Sequence, residues 1–413
     1  MMSARWCSVA VAIARAVRTA TYRAWRRRGG LVSLAGALLL AGCGSAPRIP
    51  YTAAEKAAAA IPNMTGVRIS ADAPVPVLLQ SVCPHFIATA ARTAAPTYLA
   101  VSGGGADGAY GAGVLRGWTA SGTRPEFTIV SGASTGALIA PFAFLGSSYD
   151  DALRQAYTSG AAESLLSSPS LAPVPVGSGI FGNERLRHLV AQYVDRPLLA
   201  RIAAEYAKGR CLVVVTTDLD AQRPVIWDMG RIASYGSEAA LELFRDVLTA
   251  SASVPVVFPP ILIDADANGR RIQEMHVDGS VMAPVFTMPA AFLLGSASPE
   301  RAIRLNIYIL MNNAIDPDFR VVPLKNVDIA GQTVSTMIKN QTRSIIFRTV
   351  EFARQNGLGF NLTYLDQKDF SCGVDFDTVC MRRLYKYGYE KARSGRLWQT
   401  EPPAVTPQVV AQR

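Results

Sequence analysis

Two strand–glycine–helix units in direct succession, between Thr97 and Gly146, restrict this chain more than any other feature. TYLAVS (97–102) is a short apolar run, followed by Gly103-Gly104-Gly105 and then by the helical pattern AYGAGVLRGWTAS (109–121), which stops near Gly122. EFTIVS (126–131) is a second strand candidate, and after Gly132-Ala133-Ser134-Thr135-Gly136 the chain enters an apolar helix candidate, TGALIAPFAFLG (135–146). Strand and helix alternating at this tempo require a parallel sheet with helices on its faces. Further strands are predicted at CLVVVTTDL (211–219), MHVDGS (275–280), RLNIYILMN (304–312) and NLTYLDQ (361–367). Helices are predicted over 186–194, 197–209, 238–251, 331–356 and 382–393. In the 331–356 segment, Val334, Met337, Ile338, Ile345, Ile346 and Val350 suggest core packing, while Lys339, Arg343 and Arg348 mark a solvated face.

Composition adds a size and a location. With 413 residues, half of them hydrophobic and 17% charged, the chain has ample material for a buried core and is not of disordered composition. Seven arginines and no acid lie in residues 1–42, so most of the net charge of +10 belongs to that segment and the rest gives no case for nucleic-acid binding. RAWRRRGG followed by LVSLAGALLLAGC has the basic and apolar regions of an export signal, and its apolar stretch is too short to span a bilayer comfortably. Leu40-Ala41-Gly42-Cys43 resembles the bacterial lipobox, which implies removal of 1–42 and lipidation of Cys43. Gly44, not Asp, after that cysteine fits sorting to the outer membrane of a Gram-negative cell envelope. The Ala/Pro-rich residues 43–96 read as a lipid-anchored tether whose later part, near Pro84 and His85, packs on the body. In an exported chain disulfides persist; Cys372 and Cys380, eight apart, are expected to pair, whereas Cys83 and Cys211 are left open, since Cys211 also reads as a buried strand residue. No cysteine or histidine spacing suggests zinc or another metal.

Gly103, Gly105 and Gly108 have the G-x-G-x-x-G spacing of a dinucleotide loop, but that site needs an acidic residue at the end of the second strand. Glu126 precedes that strand, and its end carries Gly132-x-Ser134-x-Gly136 instead. G-x-S-x-G is a loose pattern alone; between a strand and a helix it is the context of a nucleophile elbow, with Ser134 as nucleophile. The amides of Gly103, Gly104 and Gly105 would then form an oxyanion hole, glycine being needed where backbone itself approaches the reacting carbonyl. A serine needs a base. Of three histidines only His276 is a sensible candidate, with Asp218 as its orienter; the alternative is Asp278, two residues on, acting directly. Asp278-Gly279 is also a common turn pair, so local sequence leaves the base unassigned.

The ordered set Gly103-Gly104-Gly105, Gly132-x-Ser134-x-Gly136 and Asp278-Gly279 resembles the patatin-like phospholipase family, as do ASASVPVVFPP (250–260) and TTDL (216–219). The resemblance spans about residues 97–290, leaving 291–395 as a C-terminal α/β extension packed on this core and 396–413 as a tail. It implies a three-layer α/β/α fold and a Ser134–Asp278 dyad. It also implies Gly103–Gly105 holding the oxyanion, no cofactor, and hydrolysis of acyl esters in phospholipids or related membrane lipids. Two positions depart from the pattern. Asp107 stands where the family commonly has Arg or Lys, and Ser280 where it often has a second glycine. Asp107 is expected to point away from Ser134 and cap the 109–120 helix. Two rival readings accompany the dyad: a histidine-dependent esterase, and an inactive patatin-like lipoprotein that binds lipid or a partner.

Overall fold

The structure is a computed structural model that describes residues 48–402 apart from 86–87, 90–91, 94, 166–181, 256, 289–303, 318, 320, 368–369 and 374–375. Cys43 and the export signal lie outside the described residues. Nine strands and eleven helices are used here. The strands are β1 (Arg68–Ser70), β2 (Thr97–Val101), β3 (Ile129–Gly132), β4 (Cys211–Asp218), β5 (Arg223–Asp228), β6 (Ile261–Ala267), β7 (Arg270–Asp278), β8 (Asn306–Leu310) and β9 (Gly359–Thr363). The helices run α1 (Ala53–Ala58), α2 (Val75–Ser81), α3 (Gly108–Ala120), α4 (Thr135–Leu145), α5 (Asp150–Thr158), α6 (Asn183–Tyr193), α7 (Arg196–Ala207), α8 (Met229–Ser234), α9 (Glu238–Ser251), α10 (Asn326–Asn356) and α11 (Thr378–Arg393).

All strands join one mixed sheet in the order β1-β5-β4-β3-β2-β8-β9, with the β6–β7 hairpin attached through β7 to the far end of β4. The β4-β3-β2-β8-β9 run is parallel, whereas β1, β5, β6 and β7 pair antiparallel. The central strands β2 and β4 are buried at every position, as parallel strands covered on both faces must be. Alternation along β2 separates the two helix layers: Leu99 and Val101 face a core with α3, α4, α9 and α11, while Tyr98 and Ala100 face one with Ile346 and Ala353 of α10. Cys211, Val213 and Val215 of β4 continue that second face against α2. The fold is the expected three-layer α/β architecture.

Several elements differ from the sequence reading. Residues 53–81, read within a tether, hold α1, β1 and α2, and β1 forms the sheet edge beside β5. The segment after 291 supplies β8 and β9 to the sheet itself, β8 lying parallel beside β2, so it is not an added extension. The strand expected at 275–280 is the nine-residue β7; its hairpin partner β6, and β5 on the edge side of β4, went unpredicted because Asp, Arg and Pro interrupt their apolar pattern. On α10 only the second half packs: Ile346 is buried while Met337 is 65% exposed. Cys372 and Cys380 form the expected disulfide, and Cys83 and Cys211 form a second one. The latter ties the end of the α2 segment to the first residue of β4, 128 positions away.

A buried charge cluster fastens the N-terminal segment to this sheet. Lys56 contacts both Asp218 and Glu274, and Arg68 grips Glu274 with two hydrogen bonds. Trp227 donates to the Thr216 hydroxyl (2.8 Å), which engages His276 Nδ1 at 2.9 Å; His276 Nε2 faces Glu274 at 3.4 Å. Burial holds His276 below its ordinary pKa, in the neutral form. Asp218, Glu274 and His276 present ligand-type atoms to one another, but Lys56 and Arg68 already balance the two carboxylates. Burial works against the Glu274 charge, yet hydrogen bonds from His276 and Arg68 hold its pKa well below the usual range. Its stabilising contribution is therefore present above the ordinary glutamate pKa and is lost as the pH falls below it. Glu274→Ala leaves Arg68 without its carboxylate and Lys56 with Asp218 alone, and is expected to cost ~3–5 kcal/mol in urea unfolding at pH 7. A change under 1 kcal/mol would show that the cluster contributes little.

Candidate active site

Ser134 sits between the end of β3 and the first turn of α4, with φ 56° and ψ −130°. A non-glycine residue there carries ~1–3 kcal/mol of backbone strain and persists only where its surroundings over-determine it. The surroundings are the two flanking glycines. A Cβ on Gly132 would collide with the Gly136 carbonyl oxygen, and one on Gly136 with the carbonyl oxygens of Val101 and Ser102. The helix can thus approach the strand ends closely enough to force the turn. The Ser134 amide donates to Ser251 Oγ (3.1 Å), whose hydroxyl donates to the Val215 carbonyl (2.7 Å), so the last residue of α9 bridges the elbow to β4. At the other end of α4, Arg124 and Arg210 donate to the carbonyls of Ala143 (3.2 Å) and Phe144 (2.6 Å), satisfying its C-terminal acceptors. The N-terminus, where the dipole is positive, lies at Ser134.

Asp278 closes β7, opposite Thr216 of β4 in the antiparallel register. Its amide donates to the Ser253 carbonyl (3.0 Å) and its Oδ1 accepts from the Ser280 amide (2.7 Å). A Cβ on Gly279 would collide with the Val215 carbonyl oxygen, so this Asp-Gly pair is a close-packed junction, not a surface turn. The side chain is 2% exposed, and burial raises its pKa to about 6 against the opposing hydroxyls of Ser134 and Ser280. Asp278 Oδ2 makes no hydrogen bond among the described residues, and the hydroxyls of Ser134 and Ser280 are the carboxylate's side-chain neighbours.

The glycine loop completes the constellation with one correction. The Gly103 amide donates to the Pro284 carbonyl (3.0 Å), so of the three expected donors it is engaged elsewhere. Gly103 instead provides space: a Cβ there would collide with Ser280 Oγ and meet Ser134 Cβ at 3.0 Å. The amides of Gly104 and Gly105 have no acceptor among the described residues, and neither does that of Thr135, the first residue of α4. Gly105 has φ +55°, a conformation that favours glycine. Asn312, after β8, pins this loop by donating from its amide to Ser102 Oγ (2.9 Å) and from Nδ2 to the Ser102 carbonyl (2.6 Å). Thr135, Ser251 and Asn312 escaped the sequence reading. The residue following an elbow serine was a signal available for Thr135; nothing local distinguishes the other two.

Asp107 points away from Ser134, as expected, but does not cap α3; its carboxylate accepts from Ser371 and Cys372. The histidines stay apart from Ser134. His276 is fully buried with Thr216 and Glu274 at its two nitrogens, and His188 is exposed on α6 beside Gln192. Asp218 accepts from the amides of Asp220 and Ala221 and pairs with Lys56, so it does not orient His276. Ser134 and Thr135 open into an almost wholly apolar pocket between α4, α5, α6 and α9, walled by Leu138, Phe142, Leu186, Val190 and Phe258.

The family model for patatin-like phospholipase matches residues 99–291. No curated protein matches the chain. Among solved structures VipD from Legionella pneumophila is similar, with a TM-score of 0.39 and 14% identity over 72% of this chain; the chain spans 66% of that protein's length.

The unpaired burial of Asp278 has a thermodynamic signature. Its raised pKa means the charged form is disfavoured in the folded protein, so the cost appears as the pH rises through about 6 and vanishes below the ordinary aspartate value. Asp278→Asn is expected to unfold about 1–3 kcal/mol later than the parent at pH 8, with the gap closing near pH 4. Equal or lower stability at pH 8 would mean the carboxylate is compensated.

Proposed function

With residues 99–291 this chain belongs to the patatin-like phospholipase family, and on that premise we propose that it is a serine lipid acyl hydrolase working through a Ser134–Asp278 dyad. The observation that carries the reading is a buried Asp278 carboxylate, its Oδ2 without a hydrogen bond among the described residues, next to the hydroxyl of a strained Ser134 at the mouth of an apolar pocket. Ser134 Oγ attacks the ester carbonyl carbon as its proton passes to Asp278. The carbonyl π electrons move to oxygen, and that oxyanion meets the amides of Gly104, Gly105 and Thr135 at the positive end of α4. On collapse the acyl carbon–alkoxyl bond breaks and Asp278 returns its proton to the leaving alcohol. Water then adds to the acyl-enzyme, giving a proton to Asp278, and the fatty acid leaves as Ser134 regains its hydrogen.

An aspartate near its ordinary pKa is a poor base at neutral pH; the dry setting that brings Asp278 closer to neutrality improves the match. The pocket contributes apolar wall rather than polar recognition, which suits an acyl chain. No helix among the described residues is long and apolar enough to cross a membrane. Access to bilayer lipid is proposed to come from acylation at Cys43; loss of metabolic palmitate labelling in Cys43→Ala would support this anchor, and unchanged labelling would remove it.

Ser134→Ala and Asp278→Asn are each expected to lower kcat for a p-nitrophenyl ester by at least ~10³-fold, and His276→Gln by far less. Equal activity in parent and both dyad variants ends this reading. In the parent, kcat/KM is expected to fall about tenfold per pH unit below about 6, because only the ionised Asp278 accepts the Ser134 proton.

A further inference from the structure

The residue that departs from the family pattern organises a feature beyond the dyad. Asp107 is 4% exposed at the end of the glycine loop. Its Oδ2 accepts from Ser371 Oγ (2.7 Å) and its Oδ1 from the Cys372 amide (2.6 Å). Arg or Lys at this position has no acceptor to offer either donor. Ser371 Oγ in turn accepts from the Gly373 amide (3.3 Å), so the carboxylate fixes the entry of this segment. Its exit is fixed by α11, where Asp377 caps the helix by accepting from the Cys380 amide (2.6 Å), and the Cys372–Cys380 disulfide joins the two ends.

Between these anchors Phe376 is held at φ +48°, a strained conformation for a bulky residue. Its Cζ lies 3.9 Å from where a Cβ on Gly105 would be, with the Gly373 carbonyl at 3.6 Å. The same ring lines the pocket that contains Ser134, Leu138 and Tyr157. Strain is therefore maintained at an aromatic side chain that faces both the glycine loop and the reacting serine's pocket.

We propose that Phe376 determines acyl-chain specificity by packing on the chain next to the glycine loop, and that Asp107 is the positioning residue that holds Phe376 there. The proposal rests on the hydrolase reading above. A short acyl group ends before it gains much from the ring, whereas a longer one buries apolar surface against it, so losing the ring penalises longer esters selectively.

The test uses the full-length protein, p-nitrophenyl acetate and octanoate, and a small fluorophosphonate that reports whether Ser134 remains folded and reactive. Phe376→Ala is expected to lower the octanoate-to-acetate ratio of kcat/KM about tenfold, and Asp107→Ala to do the same, mainly through the octanoate KM. Phe376→Leu and Asp107→Asn, which keep an apolar side chain and a carbonyl acceptor, are expected to recover most of the ratio. Labelled Phe376→Ala protein with a ratio within about twofold of the parent overturns the specificity role. A shift in Phe376→Ala that is absent from Asp107→Ala overturns the positioning role. Should Asp107→Ala fail to fold, a ratio in Asp107→Asn lowered as far as in Phe376→Ala would overturn the rescue on which positioning depends. A parent that neither hydrolyses these esters nor labels ends the hydrolase reading itself, and this inference falls with it.

Discussion

The crossing of α4 over the ends of β2 and β3 leaves no room for a single methyl group, and the site depends on that closeness. Gly136 lies against the Val101 and Ser102 carbonyls, and Gly132 lies against Gly136. Only with both contacts made does the chain turn sharply enough to hold Ser134 at positive φ. The same crossing brings the glycine loop after β2 beside the serine and leaves the first amide of α4 without an acceptor among the described residues. Arg124 and Arg210 satisfy the carbonyls at the far end of the helix, while its N-terminus keeps its donors for whatever charge develops near Ser134.

Charge is handled in opposite ways at the two ends of β7. Around Glu274 every carboxylate meets a cation, and His276 is kept neutral between Thr216 and Glu274. At Asp278 there is burial without a counter-ion among the described residues, relieved by the Ser280 amide and neighbouring hydroxyls. The first arrangement fastens the N-terminal segment to the sheet. The second leaves a carboxyl group readily protonated near neutral pH, which suits the proton exchange proposed for it. His276 and Asp278 lie two positions apart on one strand face, yet the packing against β4 and β5 gives them unrelated environments.

Much of this site was legible before the fold was known, because its glycines and its serine sit next to one another in the chain. The strand–glycine–helix units, Ser134 and the Gly104–Gly105 segment are local patterns, and they occupy the elements expected of them. What was misread involved distant partners. Gly103 counted as an amide donor until Pro284, 181 residues later, took its hydrogen. Asp107 read as a helix cap because its nearest neighbours are a helix start; its actual partners, Ser371 and Cys372, come from the other end of the chain. Residues 53–81 read as a tether for lack of long apolar runs, since an edge strand of three residues leaves little periodicity. The Cys83–Cys211 bond could not be inferred from spacing at all.

The sequence by itself determined the α/β class, the elbow and its serine, since each follows from residue types within a few positions, where steric rules act locally. It also narrowed the base to His276 or Asp278, which share one strand face. The tertiary structure alone gave these two different surroundings. It surrounded His276 with Thr216 and Glu274, left Asp278 beside Ser134, and turned Asp107 toward the disulfide loop. A side chain's protonation and partners depend on what packs around it, and that is set by strands and loops far apart in the chain.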